Sequence, residues 1–152
     1  MQPSGATPTP RKICFFVVDA GRARLLQCSR VPHDRIHVDE LEALENHTEE
    51  HEHGRPSPRA GKSGNTYASG GHEDEHQLHR FAKDVVAWIE KRAGRIDDQA
   101  ITLFAAPRFL GELRKLFSPA LVKRIREHQA DLTQLSTAGL AKHSAVAELL
   151  PD

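Results

Sequence analysis

The apolar pattern of the chain is most continuous in residues 99–117, QAITLFAAPRFLGELRKLF. Residues 101–106 form a nearly unbroken apolar run, which is typical of a strand covered on both faces. Pro107 ends this run because it has no amide hydrogen for a sheet and its fixed φ suits a first helical turn. Apolar residues then recur at helical spacing up to Phe117. A buried strand that leads directly into a helix predicts a layered α/β domain.

Three strands are predicted before this unit, at residues 13–20, 23–31 and 35–44. Each is rich in β-branched, aromatic or aliphatic residues, and short polar connections separate them. In the first connection we expect Gly21 to adopt a positive φ, because glycine does so without steric cost. In the second connection Pro32 begins a turn. The ordered part of the chain is therefore expected to begin with an antiparallel meander.

A helix is predicted from Leu78, because apolar residues return there at positions i, i+3, i+4 and i+7. These apolar positions are Leu78, Phe81, Ala82, Val85, Val86 and Ile89. Charged residues occupy most of the other positions, as on a solvent-exposed face. The helix should end near Gly94, which can adopt the left-handed conformation of a C-terminal cap.

The last part of the chain adds shorter elements. Ser118, which is followed by proline, should cap one more helical turn. We interpret residues 125–130 as a polar edge strand and expect Thr133 or Ser136 to cap a last helix that runs to Leu149. The resulting order, β-β-β-α-β-α-β-α, predicts an α/β fold with a mixed sheet of about five strands, antiparallel first and parallel afterwards.

The composition changes abruptly in residues 45–77, where aliphatic side chains almost disappear and histidine, acidic residues, glycine, serine, proline and arginine dominate. Burial of these few apolar groups cannot offset the entropy cost of ordering the chain. This segment is therefore predicted to be a long mobile loop. A loop of this length inside a compact domain is usually functional or disordered. Residues 1–10 carry three prolines and are predicted to be a disordered leader. Residues 11–150 then form a single domain.

The overall charge gives no preference for an anionic partner, because 21 Lys and Arg residues balance 21 Asp and Glu residues. No run approaches the 18 or so apolar residues of a membrane span, and the first residues lack the apolar centre of a secretory signal. We therefore expect a cytoplasmic protein. Cys14 and Cys28 both lie in apolar strand segments, and we expect two buried, reduced thiols.

Five segments of the sequence together resemble one known family. The segments are FFVVDAGRARLLQC (15–28), GRPSPR (54–59), HRFAKDVVAWI (79–89), LFAAPRFLGELR (103–114) and ADLTQLS (130–136). They resemble the host attachment family, small bacterial proteins that are labelled as required for attachment to host cells. That family is similar to the middle domain of archaeal and eukaryotic release factors and of Pelota. The resemblance implies a ribonuclease-H-like, release-factor middle-domain-like mixed sheet.

The release-factor relation also implies a possible catalytic loop. In those factors a Gly-Gly-Gln tip lies on a mobile loop before the equivalent helix and places a water against the peptidyl-tRNA ester. Here the corresponding residues are Gly70, Gly71 and His72, so a histidine replaces the glutamine. Histidine can act as a base near neutral pH, which makes a peptidyl-tRNA esterase one alternative function.

The histidine-rich segment is also a candidate metal site. The candidate ligands are His47, His51, His53, His72 and His76, with His79 nearby. Two of the spacings, i to i+4, would place two imidazoles on one face if the segment were helical. A mobile loop lacks the fixed geometry and outer hydrogen bonds of a zinc site, so we expect solvated histidines and no cofactor.

A ribonuclease-H-like sheet raises the hypothesis of a nuclease, which needs several carboxylates that converge on two metal ions. Asp19, at the end of the first strand, is placed correctly for this role. The central strand, residues 101–106, supplies no carboxylate, and Asp84 has no evident partner. We therefore expect Asp19 to be a turn residue that bonds to the neighbouring backbone.

Basic residues at strand ends, in the loop and at helix starts are the candidate binding surface, since phosphate contacts form readily there. They are Arg22, Arg24, Arg55, Arg59, Lys62, Arg80, Arg108 and Arg114. The alternative is a solvated face with local ion pairs. We favour a non-enzymatic, RNA- or ribosome-associated binding module whose loop orders on its partner. The other candidates are an adhesion or interaction protein without an RNA role, as the family label implies, and the esterase.

Overall fold

A computed structural model of the chain describes residues 11–46, 63–97 and 100–150. The strands are β1 (Lys12–Val18), β2 (Arg22–Val31), β3 (Arg35–Glu45), β4 (Ile101–Ala105) and β5 (Ile125–Gln129). The helices are α1 (Ser63–Ala93), α2 (Pro107–Arg114), α3 (Pro119–Arg124), α4 (Thr137–Ala141) and α5 (Ser144–Ala147). The predicted leader, residues 1–10, lies outside the described residues, as do residues 47–62.

The five strands form one mixed sheet in the order β3-β2-β1-β4-β5. β2 pairs antiparallel with both β1 and β3, whereas β4 pairs parallel with both β1 and β5. The α/β class and the change from antiparallel to parallel pairing are therefore confirmed. β4 is covered on both faces, as its apolar run predicted, because Leu103 and Phe104 are both buried on opposite sides of the sheet.

Helices cover both faces of the sheet, and the alternation of side chains along β1 assigns each residue to one layer. On the first face, which we call the α1 face, Phe16 meets Trp88 of α1 edge to face, with ring centroids 5.6 Å apart. On the opposite face, the α4 face, Phe15 meets Phe104 at 5.9 Å, and α4, α5 and the C-terminal segment pack over them. The protein is a three-layer α/β/α domain.

The long loop predicted for residues 45–77 is wrong over residues 63–77, because α1 begins at Ser63 and contains 31 residues. The amphipathic part that packs on the sheet begins at Leu78, as expected. Extending an existing helix needs no new nucleus, so a polar sequence can continue the first turns of a helix that packing already stabilises. At about 1.5 Å per residue, residues 63–77 prolong the helix axis by about 22 Å.

The other end of α1 is fixed by side chains from neighbouring elements. The guanidinium of Arg124 donates to the carbonyl oxygens of Ala93 and Ile96, both at 2.8 Å. These bonds satisfy carbonyl groups that the end of a helix leaves without an internal partner. Gly94 follows the last helical residue, as predicted, but the left-handed conformation expected for it is wrong, since no glycine in the described ranges has a positive φ.

A β-bulge in β3 changes the face to which its acidic side chains point. Leu26 pairs with Glu40 and Leu25 pairs with Glu42, so Leu41 is an extra residue in β3. Glu40 therefore points to the α4 face, and Glu42 points to the α1 face. There Glu42 accepts a hydrogen bond of 2.6 Å from Nε of Arg92, a residue of α1. Without the bulge both carboxylates would point to the same side of the sheet.

The expected positive φ of Gly21 is wrong, since none of the glycines in the described ranges has a positive φ. The turn is instead closed by Asp19, whose Oδ1 accepts from the amides of Gly21 at 2.8 Å and Arg22 at 2.9 Å. The left-handed residues lie in the second turn, where His33 has a φ of 69° and Asp34 a φ of 60°.

The single last helix that we predicted up to Leu149 is also wrong, because the chain forms two short helices, α4 and α5. Ser136 caps α4, and its Oγ accepts from the amide of Gly139 at 3.0 Å. The ring of His143 caps α5, since its Nδ1 accepts from the amide of Ala145 at 3.1 Å. A second cap in mid-segment stops the first helix and starts another.

Candidate functional site

The carboxyl ends of the parallel strands β1, β4 and β5 meet at one edge of the sheet, where ligands often bind in open α/β sheets. Asp19 follows β1 at this edge. Besides closing its own turn, Asp19 accepts a hydrogen bond at Oδ2 from the hydroxyl of Thr133, which is fully buried. Both carboxylate oxygens are therefore engaged in structural contacts. This arrangement agrees with the expected turn residue, whose carboxylate bonds to the neighbouring backbone.

Arg24, one of the predicted binding residues, lies in the interior, where it is 4% exposed. Its Nη1 donates to the carbonyl oxygens of Leu135 at 2.7 Å and Thr133 at 3.1 Å. Its Nε and Nη2 donate to Oε1 of Glu40 at 3.1 Å and 2.8 Å. Arg24 therefore fastens the segment after β5 to the sheet and is not available to an external ligand.

Arg22 and Arg114, two further predicted binding residues, are exposed but each has an acidic partner. Arg22 lies 3.6 Å from a carboxylate oxygen of Glu45 on the neighbouring strand. Nε of Arg114, at the end of α2, donates to Oε1 of Glu127 of β5 at 2.8 Å. For these two residues the alternative of local ion pairs on a solvated face is the better description.

Arg80 of α1 and Arg108 of α2 differ from the preceding arginines, because both are exposed and neither has a side-chain partner among the described residues. The two helices pack against each other beside them, where the rings of Phe81 and Phe109 lie 5.8 Å apart. We call the exposed arginines Arg80 and Arg108 the α1–α2 cations. The other predicted cations, Arg55, Arg59 and Lys62, lie outside the described residues.

A polar contact between the same two helices shifts the ionisation of Glu112. Oε1 of Glu112 lies 3.4 Å from Nδ1 of His79, and Oε2 lies 3.4 Å from Nζ of Lys115. Partial desolvation favours the neutral carboxyl, but the hydrogen bonds from His79 and Lys115 outweigh it and hold the pKa of Glu112 below its usual value. Glu112 is therefore a charged partner for these two groups at neutral pH.

Gly70, Gly71 and His72 lie inside α1 and not on a loop, which corrects the placement that the esterase hypothesis assumed. The amides of residues inside a helix donate to carbonyl groups one turn earlier, so they are not free to approach an ester. The physical reason for the error is that two glycines disfavour a helix by only about 1 kcal/mol each, which the rest of the helix can overcome.

The candidate metal ligands are only partly described. His47, His51 and His53 lie outside the described residues, whereas positions 72 and 76 are one turn apart in α1. Within the ranges that the structure describes, no three side chains of His, Cys, Asp or Glu come together in a way that could hold a metal ion. Metal binding by this segment stays a prediction.

The two cysteines lie on adjacent strands as reduced thiols, and Cys28 is fully buried. Cys14 is half-buried and packs against the core of the α1 face, whereas Cys28 lies in the core of the α4 face, so their side chains point away from each other. The expectation of a buried thiol is therefore confirmed for Cys28 and wrong for Cys14. Burial, and to a smaller extent the nearby Cys14, raises the pKa of Cys28 to about 11. A thiol with this pKa is neutral at physiological pH and is a poor nucleophile.

A polar cleft on the α4 face was not anticipated from the sequence. It lies over the first residues of β1 and β4 and over β5, and has a volume of about 670 Å³. Its polar lining comes from Arg11, Asp97, Thr102, Arg126, His128 and Glu148. We call this the sheet cleft. The sequence did contain a pattern that indicates this cleft. In a strand at residues 125–130, Ile125 is buried on one face, so Arg126 and His128 lie together on the other face.

None of the described helices combines the length and the apolar character that crossing a bilayer requires. A comparison with curated proteins finds no match. A comparison with family models finds one family over residues 14–143, which include all five strands except the first two residues of β1. The matched range also contains α1 to α4 and the Arg24 contacts described above. The chain therefore belongs to the host attachment family, which is described as "Protein required for attachment to host cells".

Proposed function

We propose that this protein is a non-enzymatic binding module that associates with RNA, in the ribosome or free, through α1 and the surface beside it. The observation that carries the proposal is the pair of α1–α2 cations. Arg80 and Arg108 are exposed on adjacent helices and lack acidic partners among the described residues, whereas Arg22, Arg24 and Arg114 have them. Exposed guanidinium groups without a described acidic partner are suited to phosphate contacts.

The length of α1 supports the same proposal. Its first half, residues 63–77, lengthens the helix before Leu78, the first of its buried core residues among those whose burial is described. The mixed sheet agrees with the resemblance to release-factor middle domains, whose Gly-Gly-Gln tip acts on peptidyl-tRNA, and that resemblance favours an RNA partner. A cytoplasmic location belongs to this proposal, because ribosomes and most cellular RNA are found there.

The test is co-sedimentation of the full chain with purified ribosomes over a series of salt concentrations. We expect binding that weakens as salt rises, because phosphate contacts release condensed counterions. The double variant Arg80→Ala/Arg108→Ala should reduce the slope of log K against log salt by about 1.4–1.8, since each lost phosphate contact accounts for about 0.7–0.9.

The matched control is the double variant Arg22→Ala/Arg114→Ala, which removes the same charge from residues that already have acidic partners. We expect it to leave the salt dependence nearly unchanged. Equal effects of the two double variants would show that only net charge matters and would contradict a specific role for the α1–α2 cations.

The second candidate function is direct participation in adhesion, which the family description favours. It predicts a fraction of the protein at the cell surface, whereas the RNA-binding proposal predicts a fraction that migrates with ribosomes. Cell fractionation followed by immunodetection separates them. Protein found only in the surface fraction, with no ribosomal pool at low salt, would refute the RNA-binding proposal.

A further inference from the structure

The sheet cleft exists because the helices of the α4 face do not extend over the whole sheet. The core of that face includes β1, β2, β3 and Phe104 of β4, but none of the side chains of β5. Arg126 and His128 of β5 therefore project from a part of the sheet that no described helix covers. Thr102 of β4 is the register partner of Arg126 and belongs to the same lining.

The charged groups of the cleft have no partners within the part of the chain that the structure describes. Arg11 and Arg126 form no ion pair or side-chain hydrogen bond with another described residue, and neither do Asp97 and Glu148. Elsewhere in this protein, arginines next to carboxylates pair with them at close range, as Arg92 does with Glu42. Two cations and two anions that line one cleft without pairing are suited to a ligand that carries both acceptors and donors.

The imidazole ring of His128 provides a flat surface in the lining of the cleft. Its ring lies against Phe104, with centroids 5.4 Å apart and planes inclined by 37°, while the residue itself remains exposed. Contact with a fully packed phenyl ring restricts the orientations of the imidazole on one side. The other side is free to stack on a planar group, which is how unpaired bases bind histidine and other aromatic side chains.

We propose that the sheet cleft binds one ribonucleotide unit of an RNA strand. Arg11 and Arg126 donate hydrogen bonds to phosphate oxygens, since a guanidinium matches phosphate geometry. Asp97 and Glu148 accept hydrogen bonds from ribose hydroxyls, and the base stacks on His128. The inference rests on the proposed function and adds to it a second contact on the opposite face from the α1–α2 cations. It also predicts a preference for RNA over DNA, because deoxyribose lacks the 2′-hydroxyl.

The experiment measures the fluorescence anisotropy of a labelled, single-stranded 12-nucleotide RNA titrated with the full chain, alongside DNA of the same sequence. Arg126→Ala should weaken RNA binding at least fivefold. The matched control is Arg114→Ala, which removes an exposed arginine next to the same strand but outside the cleft, where it is bonded to Glu127. The control should change the affinity less than twofold. Circular dichroism verifies that both variants are folded.

Two further variants test the assigned roles separately. His128→Phe should retain binding because it keeps a stacking surface, whereas His128→Ala should lose affinity by at least about fivefold, the lower limit for one stacked base. Asp97→Asn/Glu148→Gln should reduce the ratio of RNA to DNA affinity towards one. An RNA affinity that is unchanged in both Arg126→Ala and His128→Ala overturns the cleft inference.

The outcomes separate this inference from the proposed function. If the wild type binds RNA and ribosomes but Arg126→Ala and His128→Ala both behave like Arg114→Ala, the cleft inference fails and the proposed function stands. If the wild type binds neither RNA nor ribosomes, the proposed function fails, and calorimetry with adenosine monophosphate then decides the cleft. If adenosine monophosphate binds and Arg126→Ala abolishes this binding, the cleft is a site for a free nucleotide. If adenosine monophosphate does not bind, the cleft inference is overturned.

Discussion

Arg24 offers the most direct test of how this fold is held together. The variant Arg24→Ala removes a guanidinium that is 4% exposed and that bonds to the carbonyl oxygens of Thr133 and Leu135 and to Glu40. Hydrogen bonds from a charged donor contribute about 1.5–3 kcal/mol each, so the two carbonyl contacts account for most of the effect. Glu40 is partly exposed and regains hydration, so its own contribution is small. We expect a loss of about 3–5 kcal/mol, a large part of the usual 5–15 kcal/mol of a domain.

The assay is urea denaturation followed by the fluorescence of Trp88, the single tryptophan, which packs against Phe16 in the core. At a slope of about 2 kcal/mol per molar urea, the midpoint should fall by about 1.5–2.5 M while the slope itself stays unchanged. Arg22→Ala is the matched control, because Arg22 lies two residues away on the same strand. Its ion pair is long and both side chains are more than 40% exposed, so we expect less than about 1 kcal/mol.

The reasoning about Arg24 is refuted if Arg24→Ala and Arg22→Ala lower the free energy of unfolding equally. Should Arg24→Ala not fold, Arg24→Lys provides the measurement. A lysine keeps the positive charge but cannot reach two carbonyl groups and a carboxylate with one planar group. We expect Arg24→Lys to lie between the control and Arg24→Ala, and stability equal to the wild type would contradict the geometric argument.

Three further predictions concern backbone conformation and the buried thiol. Gly111→Ala should stabilise the protein by about 0.5–1 kcal/mol in the same urea assay, because Gly111 lies inside α2 and an added Cβ meets no atom within 4 Å. Destabilisation would show that α2 is distorted at this position. His33→Gly should also stabilise, by up to about 1 kcal/mol, since His33 has a φ of 69° that glycine adopts freely; a loss of stability would point to a role of the imidazole. Cys28 should resist iodoacetamide at pH 8.5 in the native state and react after unfolding, as mass spectrometry of the labelled peptide would reveal. Because its pKa is about 11 when folded and about 9 when unfolded, the folded state retains the proton longer, so stability from this group is present below pH 9 and is lost as pH rises towards 11. Cys28→Ala should remove this part of the pH dependence, and an unchanged profile would count against a buried thiol.

Local sequence patterns were sufficient to predict the helices and strands whose buried side chains recur at regular spacing. The apolar run of β4, the alternation of β1 and the spacing from Leu78 to Ile89 each require one kind of backbone, and the structure contains it. The cap formed by Ser118, which accepts from the amide of Leu121 at 3.2 Å, was also predictable, since it involves only residues three apart. The presence of a mixed sheet followed from the order of these elements.

What the sequence did not determine depends on contacts between residues far apart in the chain. Arg24 and Arg114 have equally basic side chains, yet one is buried because the segment at residues 133–135 folds back over it, 109 to 111 positions later. The bulge at Leu41 places Glu40 and Glu42 on opposite faces of the sheet and so decides which arginine each one contacts. The sheet cleft forms only because the helices of the α4 face leave β5 uncovered. The residue at which α1 begins was also not predictable from local sequence. Extension of this helix depends on its packed half and not on the composition of residues 63–77. Periodicity fixes local backbone choice, but only tertiary packing decides which charged groups are structural and which remain available to a partner.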